Sequence, residues 1–101
     1  KEEPFGPLVR ILTFKTFDEV IERANDNDLG LCSYLYTNSM DKAHIGSEKL
    51  ESGVVAVNTG VVALAEAPFG GIKQTGYGRE GGSGAIKDYL NVKYTHMGLK
   101  I

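Results

Sequence analysis

The sequence has 101 residues, of which 42% are apolar and 24% are charged. That length suits one small domain with one modest core and excludes two ordinary domains. Eleven basic and thirteen acidic side chains give a formal net charge of −2, which offers no electrostatic case for binding nucleic acid or an anionic membrane. No apolar run approaches the roughly 20 residues of a membrane span, and the first residues do not resemble a signal peptide. Because Cys32 is the one cysteine, an internal disulfide is impossible, and we expect a reducing, cytoplasmic compartment.

Glycine is in excess and clustered. Thirteen glycines in 101 residues is nearly twice the ordinary share of about 7%, and seven of them fall between Gly70 and Gly84. Since glycine is entropically costly, such a cluster indicates backbone that turns sharply or approaches another group closely.

The first third of the chain predicts a strand followed by a helix. Pro4 and Pro7 bracket a turned lead-in, because proline fits neither a helix interior nor a central strand. The apolar, β-branched run 8–14 then predicts a strand. Thr16 and Glu19 match a capping box, in which each side chain satisfies an orphan backbone amide of a helix beginning there. The apolar side of that helix is predicted to hold Val20, Ile21 and Ala24.

The next segment predicts a second helix between two strands. Residues 31–37 are typical of a strand, and residues 54–58 form a continuous apolar run typical of a buried one. Between them we expect a helix over about 40–51 with a cap from Asn38-Ser39 and a left-handed end at Gly53. The residues at helical spacing along one side of it are Met40, Ala43, Ser47 and Leu50. Alternating strands and helices predict an α/β layer with parallel strands.

The last third of the chain is less regular. Residues 59–81 predict a long loop, which in compact domains is usually functional or disordered; Phe69 argues for order. A short helix is predicted over 83–90 with Ser83 as its cap. Residues 91–97 alternate in polarity and predict an edge strand that seeks a partner.

Residues 76–81 spell G-x-G-x-x-G, the pattern of a dinucleotide-binding turn. That site requires a strand directly before the glycines and an acidic residue about 20 positions later. The residues before Gly76 do not read as a strand, and 94–97 contain no acid. We therefore expect no Rossmann site here.

The remaining reactive side chains favour structural roles. Cys32 lies inside a predicted strand, without the nearby cation or helix N-terminus that activates a thiol, so a small buried hydrophobe is the better interpretation. His44 and His96 lack spacing partners for a metal site. Isolated basic residues such as Lys73 and Arg79 are usually solvated, although they could bind phosphate.

Glu3 and Phe5 form a different pair, a carboxylate and an aromatic ring on a stiff Pro-Gly turn. Such a pair could bind a sugar diol and stack on a flat ring. By itself the pair is better explained as an ordinary capped turn.

Two motifs resemble those of one family. Glu3 to Pro7 resembles the E-x-F-G-P motif of aldehyde dehydrogenases, and residues 67–81 resemble that family's P-F-G-G-x-K-x-S/T-G-x-G-R-E-x-G stretch. Residues 24–25, 34, 37 and 53–58 follow the family's order and spacing, so the resemblance spans the chain. Residues 89–94 are most similar to succinate-semialdehyde and related semialdehyde dehydrogenases.

The resemblance implies a place and a role for each part. Residues 1–90 would be the last stretch of the three-layer α/β catalytic domain, and 91–101 the oligomerisation strand with its tail. It implies that Glu3 binds the ribose beside nicotinamide and that Phe5 packs by the nicotinamide ring. It places Asn58 and Phe69 at the substrate tunnel. The strand that would pair with a neighbouring subunit in a homo-oligomer consists of Val92, Lys93, Tyr94, Thr95, His96 and Met97.

The resemblance also implies what this chain lacks. The family's nucleophilic cysteine, oxyanion hole, general base and NAD(P)-binding Rossmann domain all precede the E-x-F-G-P motif. We therefore expect no catalytic residue in these 101 residues, no metal site, and no NAD or NADP bound to the chain alone. Ala63 stands where the succinate-semialdehyde group has a substrate-binding serine, which weakens the assignment of succinate semialdehyde as the substrate.

Two functions remain open. The chain is either a segment of an NAD(P)-dependent aldehyde dehydrogenase that oxidises an aldehyde to a carboxylate, or a truncated homologue that acts only as an assembly module. The absence of the nucleophile predicts no turnover by the chain alone in either case.

Overall fold

The computed structural model describes residues 2–100. Its elements in chain order are α1 (Phe17–Asn25), β1 (Leu29–Gly30), β2 (Cys32–Leu35), α2 (Met40–Lys49), β3 (Val54–Val57), β4 (Ile72–Lys73) and a 3₁₀-helix (Ala85–Tyr89). Strands β2 and β3 are parallel, with Cys32 opposite Val54 and Leu35 opposite Val57. Strands β1 and β4 form a second, antiparallel pair. The α/β class and the parallel pairing are confirmed.

The start of α1 is confirmed at its predicted capping residues. Thr16 is extended and its Oγ1 accepts the Glu19 N–H at 3.2 Å. The Glu19 carboxylate reaches one residue further back than predicted and accepts the Lys15 N–H at 2.8 Å. Of the predicted apolar side, Ile21 is buried, whereas Ala24 is exposed.

Helix α2 begins as predicted but buries a different side. Ser39 is its N-cap, with its Oγ accepting the Lys42 N–H at 3.3 Å. Met40 is 71% exposed, and the buried position is Gly46. A Cβ on Gly46 would lie 2.5 Å from Leu35 Cδ2, so the helix packs its glycine closely against the end of β2. Apolar spacing could not reveal this contact, because the residue that makes it has no side chain.

Gly53 does not have the predicted left-handed conformation. Helix α2 ends at Lys49 with an extended Leu50 as its C-cap. Gly53 instead lies against the glycine cluster, where a Cβ would fall 1.8 Å from the Gly70 carbonyl oxygen. Its glycine is required by this approach of two backbones.

Two predicted strands are not formed within residues 2–100. Residues 8–14 and 91–97 have no ladder partner there and are exposed throughout. A strand is defined by pairing, so apolar alternation alone does not produce one. The predicted helix over 83–90 is a 3₁₀-helix whose N-cap is Gly84, without a side-chain bond from Ser83.

Residues 2–100 do not form the small self-contained core expected from the length. Among residues 2–100 the buried apolar residues are Ile21 and Ala56. The radius of gyration is 19.2 Å, against about 13 Å for a compact chain of this length. Many large apolar side chains face outward, chiefly in residues 5–14 and 86–99.

Candidate functional site

Glu3 and Phe5 lie in an exposed N-terminal segment, residues 2–14, here called the arm. Phe5 is 88% exposed. Gly6 has φ +128°, and its carbonyl accepts the Leu8 N–H at 2.8 Å, so the chain turns sharply between the two prolines. No hydrogen bond or ion pair among residues 2–100 engages the Glu3 carboxylate. Within residues 2–100, the carboxylate and the ring are therefore both exposed at a sharp turn.

Asn58 locks the ends of the two parallel strands together. It follows β3 with φ +55°, and its N–H donates to the Leu35 carbonyl at 2.8 Å. Its side-chain Oδ1 accepts the Thr37 N–H, and Nδ2 donates to the Thr37 carbonyl, each at 2.9 Å. The side-chain amide therefore continues the parallel ladder beyond the last strand residue. Asn58 shapes the start of the following loop rather than presenting a free amide.

Phe69 is fixed by the glycine-rich loop behind it. Its N–H and carbonyl exchange hydrogen bonds with Glu80 at 2.7 and 2.8 Å, which forms an isolated antiparallel bridge. The half-buried ring lines an open groove of about 400 Å³ together with Leu31 and Arg79. This bridge inside the predicted loop was missed because its partners form no periodic pattern.

Arg79 holds the glycine-rich loop closed. Its Nη1 donates to the carbonyls of Gly71 at 2.8 Å and Gly78 at 2.7 Å, and its N–H donates to Asp88 Oδ2 at 3.0 Å. The sequence-based interpretation of Arg79 as a solvated or phosphate-binding residue is wrong for this structure, because its guanidinium caps backbone carbonyls.

Lys73 has a comparable structural role. It has φ +55°, and its Nζ donates to the carbonyls of Asn25 at 2.9 Å and Asn27 at 3.0 Å and pairs with Glu51. The Asn25 side chain links the same region to α2, donating to the Lys49 carbonyl and accepting the Glu51 N–H. The sequence carried one signal for this cluster, the match of Asn25 and Lys73 to the family pattern.

The predicted site residues form two separate groups. No hydrogen bond or ion pair among residues 2–100 joins Glu3 or Phe5 to Asn58 or Phe69. Asn58 and Phe69 are connected through the loop 59–68.

The G-x-G-x-x-G segment does not open an α-helix. Residues 76–81 form an irregular loop in which Gly76, Gly78 and Gly81 have positive φ, followed by the 3₁₀-helix. The predicted sharp turns of the glycine cluster are confirmed, and the geometry of a dinucleotide-binding turn is not present.

Cys32 is half-buried in β2. The neighbouring Cys32 thiol raises the pKa of the Tyr34 phenol. His44 is exposed on α2, and His96 Nδ1 lies 3.2 Å from the Tyr94 hydroxyl.

Within the described residues, no group of three or more His, Cys, Asp or Glu side chains is arranged to hold a metal ion. In this part of the chain there is also no helix long and apolar enough to cross a membrane.

A family model described as the aldehyde dehydrogenase family matches residues 1–95. The chain belongs to the aldehyde dehydrogenase family. This confirms the resemblance carried by the two motifs.

Individual aldehyde dehydrogenases match nearly the whole chain. Succinate-semialdehyde dehydrogenase [NADP(+)] of Escherichia coli K12 is 46% identical over 99 residues, covering 98% of this chain and 20% of that protein. The 3-sulfolactaldehyde dehydrogenase of Pseudomonas putida is 48% identical over 97 residues, covering 96% and 20%. The NAD⁺ complex of a Bacillus cereus aldehyde dehydrogenase superposes with a TM-score of 0.87 at 46% identity, covering 92% of this chain and 19% of that one. The chain thus spans about a fifth of the length of these relatives.

Proposed function

We propose that this chain is a segment of an NAD(P)-dependent aldehyde dehydrogenase that oxidises an aldehyde, of the semialdehyde class, to a carboxylate. The observation that carries the proposal is the 46% identity to an NADP⁺-linked semialdehyde dehydrogenase across 98% of the chain. In this proposal residues 1–90 complete the catalytic domain and residues 91–101 form the oligomerisation strand with its tail.

Glu3 and Phe5 are proposed to contact the coenzyme, NAD or NADP, which accepts a hydride when bound. The support is chemical: the Glu3 carboxylate is free among the described residues, and the Phe5 ring is 88% exposed beside the turn at Gly6. A carboxylate accepts hydrogen bonds from two ribose hydroxyls, and an exposed ring packs on a flat heterocycle.

Asn58 and Phe69 are proposed to shape the substrate tunnel. Asn58 acts through the backbone, because both ends of its amide are used on Thr37, whereas the Phe69 ring faces an open groove. Ala63 offers no hydrogen-bond donor for a substrate carboxylate, so another residue of the enzyme would hold an acidic tail.

The isolated chain is proposed to have no catalytic activity and to bind no coenzyme. Cys32 supports this proposal, since it lies within β2 and no hydrogen bond or ion pair among residues 2–100 joins its thiol to a histidine or a carboxylate base.

A cytoplasmic homo-oligomer completes the proposal. Residues 92–97 are exposed and leave their backbone groups available for pairing with a second subunit. The same feature favours the second candidate function, a truncated homologue that serves only as an assembly module. The two candidates differ in whether the segment supports turnover inside a complete catalytic domain.

The test uses a hybrid enzyme, in which this chain replaces the aligned segment of the Escherichia coli succinate-semialdehyde dehydrogenase. We expect aldehyde-dependent NADPH formation, and we expect Glu3→Ala to raise the coenzyme KM about tenfold, because one charge-assisted contact is lost. Glu2→Ala is the matched control, as it removes an exposed carboxylate next to the motif. A folded, oligomeric hybrid without turnover would favour the assembly module.

A further inference from the structure

The arm joins the rest of the chain through a small hydrogen-bond network at the start of α1. Arg23 Nη1 donates to the Thr13 carbonyl at 2.9 Å and to Glu19 Oε1 at 3.2 Å. The other oxygen of that carboxylate accepts the Lys15 N–H at 2.8 Å. These four residues, Thr13, Lys15, Glu19 and Arg23, are here called the tether.

One side of the tether is fixed to the body of the structure. Glu19 and Arg23 stand one turn apart on α1, whose Ile21 is buried. Asn25, the last residue of α1, donates its side-chain amide to the Lys49 carbonyl at the end of α2. The Asn25 carbonyl accepts a hydrogen bond from Lys73 Nζ of β4. The helix is therefore a firm base, and the tether sets the direction in which the chain leaves it.

The other side of the tether is the Thr13 carbonyl, which belongs to the arm. Phe5 lies eight positions before Thr13, which corresponds to at most about 28 Å of chain. Among residues 2–100, the bond from Arg23 to the Thr13 carbonyl is the hydrogen bond that joins the arm to the rest of the chain, and binding sites hold their groups to about 0.5 Å. Pro4 and Pro7 restrict the turn that carries Glu3 and Phe5, so a displacement of the arm is passed to these two residues.

Resting on the proposed function, we propose that Arg23 and Glu19 are positioning residues for coenzyme binding. They hold the arm at the angle that places Glu3 and Phe5 against the coenzyme, and they do not touch the coenzyme themselves. The tunnel residues lie in a different group, connected to β3 and the glycine-rich loop. Loss of the tether therefore weakens coenzyme binding without weakening aldehyde binding.

The hybrid enzyme permits a direct test by fluorescence titration with NADPH in the absence of aldehyde. Arg23→Ala removes the donor to Thr13 while alanine keeps the helix, and we expect the NADPH Kd to rise about fivefold, the loss of one charge-assisted hydrogen bond. Arg23→Lys, which restores one cationic donor, should recover part of that loss. The aldehyde KM should change less than twofold in both variants.

Lys49→Ala is the control for the lost positive charge, because Lys49 is an exposed helical cation whose Nζ lies 3.8 Å from Asp18 and outside the tether. Glu22→Ala is the control for substitution within α1, since Glu22 is exposed and lies beside Arg23. Both should leave the NADPH Kd unchanged. An Arg23→Ala variant with an unchanged Kd, or one in which the aldehyde KM rises equally, would overturn the proposal.

A second readout separates this proposal from the proposed function. Hydrogen exchange of the peptide covering 8–16 should be faster in Arg23→Ala than in Lys49→Ala, whether or not the hybrid turns over. If the unmodified hybrid fails to bind NADPH, the proposed function fails, and the exchange experiment still decides whether the tether holds the arm. Equal exchange in the two variants would show that it does not.

Discussion

Asn58 shows how far a residue's role depends on its surroundings. The resemblance predicts only that it lies at the substrate tunnel. In the structure its side-chain amide forms hydrogen bonds with both backbone groups of Thr37. The backbone of Asn58 has a left-handed φ, which asparagine tolerates better than most residues. Sequence alone could not supply this bond, because it depends on where β2 ends relative to β3.

Replacing Asn58 by alanine should open the end of the parallel pair. Two exposed hydrogen bonds are lost and alanine disfavours the positive φ, together about 1–2 kcal/mol of local stability. In the hybrid enzyme we expect the Thr37 amide to exchange about 5- to 30-fold faster. Asn58→Gly, which tolerates the φ, should have the smaller effect. Asn38→Ala is the control. An equal effect of that variant would contradict the role of the Asn58 side chain in holding Thr37.

Glu19 provides a pH-dependent test at the same scale. The Lys15 N–H first, and then Arg23, hold the pKa of this carboxyl below its ordinary value. Because the folded pKa is lowered, the stabilisation is fully present above the unfolded value of about 4.3 and is lost as the pH falls through the lowered pKa. Carbon-13 NMR of the Glu19 carboxyl should give a midpoint below the ordinary glutamate value. A midpoint at or above that value would show that the cap is not formed.

Secondary structure that depends on interactions between residues close in the sequence was easier to predict than structure that depends on distant partners. Both helix starts follow from caps within three residues, Thr16 and Ser39, and both were predicted from sequence. The strands 8–14 and 91–97 were not confirmed, because a strand requires a paired neighbour and neither segment has one among residues 2–100. Strand β4 and the bridge between Phe69 and Glu80 were missed, since their pairing partners lie far apart in the sequence without apolar periodicity.

The approach of Gly53 to Gly70 is the sharpest constraint between elements. A Cβ on Gly53 would lie 1.8 Å from the Gly70 carbonyl oxygen, a contact that requires the backbone to move. Overpacking of this kind costs about 1–3 kcal/mol, so Gly53→Ala should lower the unfolding temperature of the hybrid enzyme by at least about 2 °C.

Gly84 supplies a matched control for that substitution. Nothing lies within 4 Å of a Cβ built there, and its φ of −88° suits any residue. Gly84→Ala should therefore leave the unfolding temperature within about 1 °C of the parent. If Gly53→Ala were equally silent, the close packing of β3 against the glycine-rich loop would be wrong.

At the scale of the whole molecule, composition and structure differ. A sequence with 42% apolar residues has enough hydrophobic material for a core, yet its large side chains in residues 5–14 and 86–99 point outward. The radius of gyration of 19.2 Å fits a piece of a larger layer rather than an independent domain. The chain also covers about a fifth of the length of its relatives, and under the proposed function the rest of the catalytic domain would cover this apolar surface.

Aldehyde-dependent NAD(P)H formation at 340 nm, measured side by side for the isolated chain and the hybrid enzyme, tests this account most directly. We predict turnover by the hybrid and none by the isolated chain, at equal molar concentration and with either coenzyme. Turnover by the isolated chain that Cys32→Ala abolishes would contradict the account, because the chain would then carry its own nucleophile.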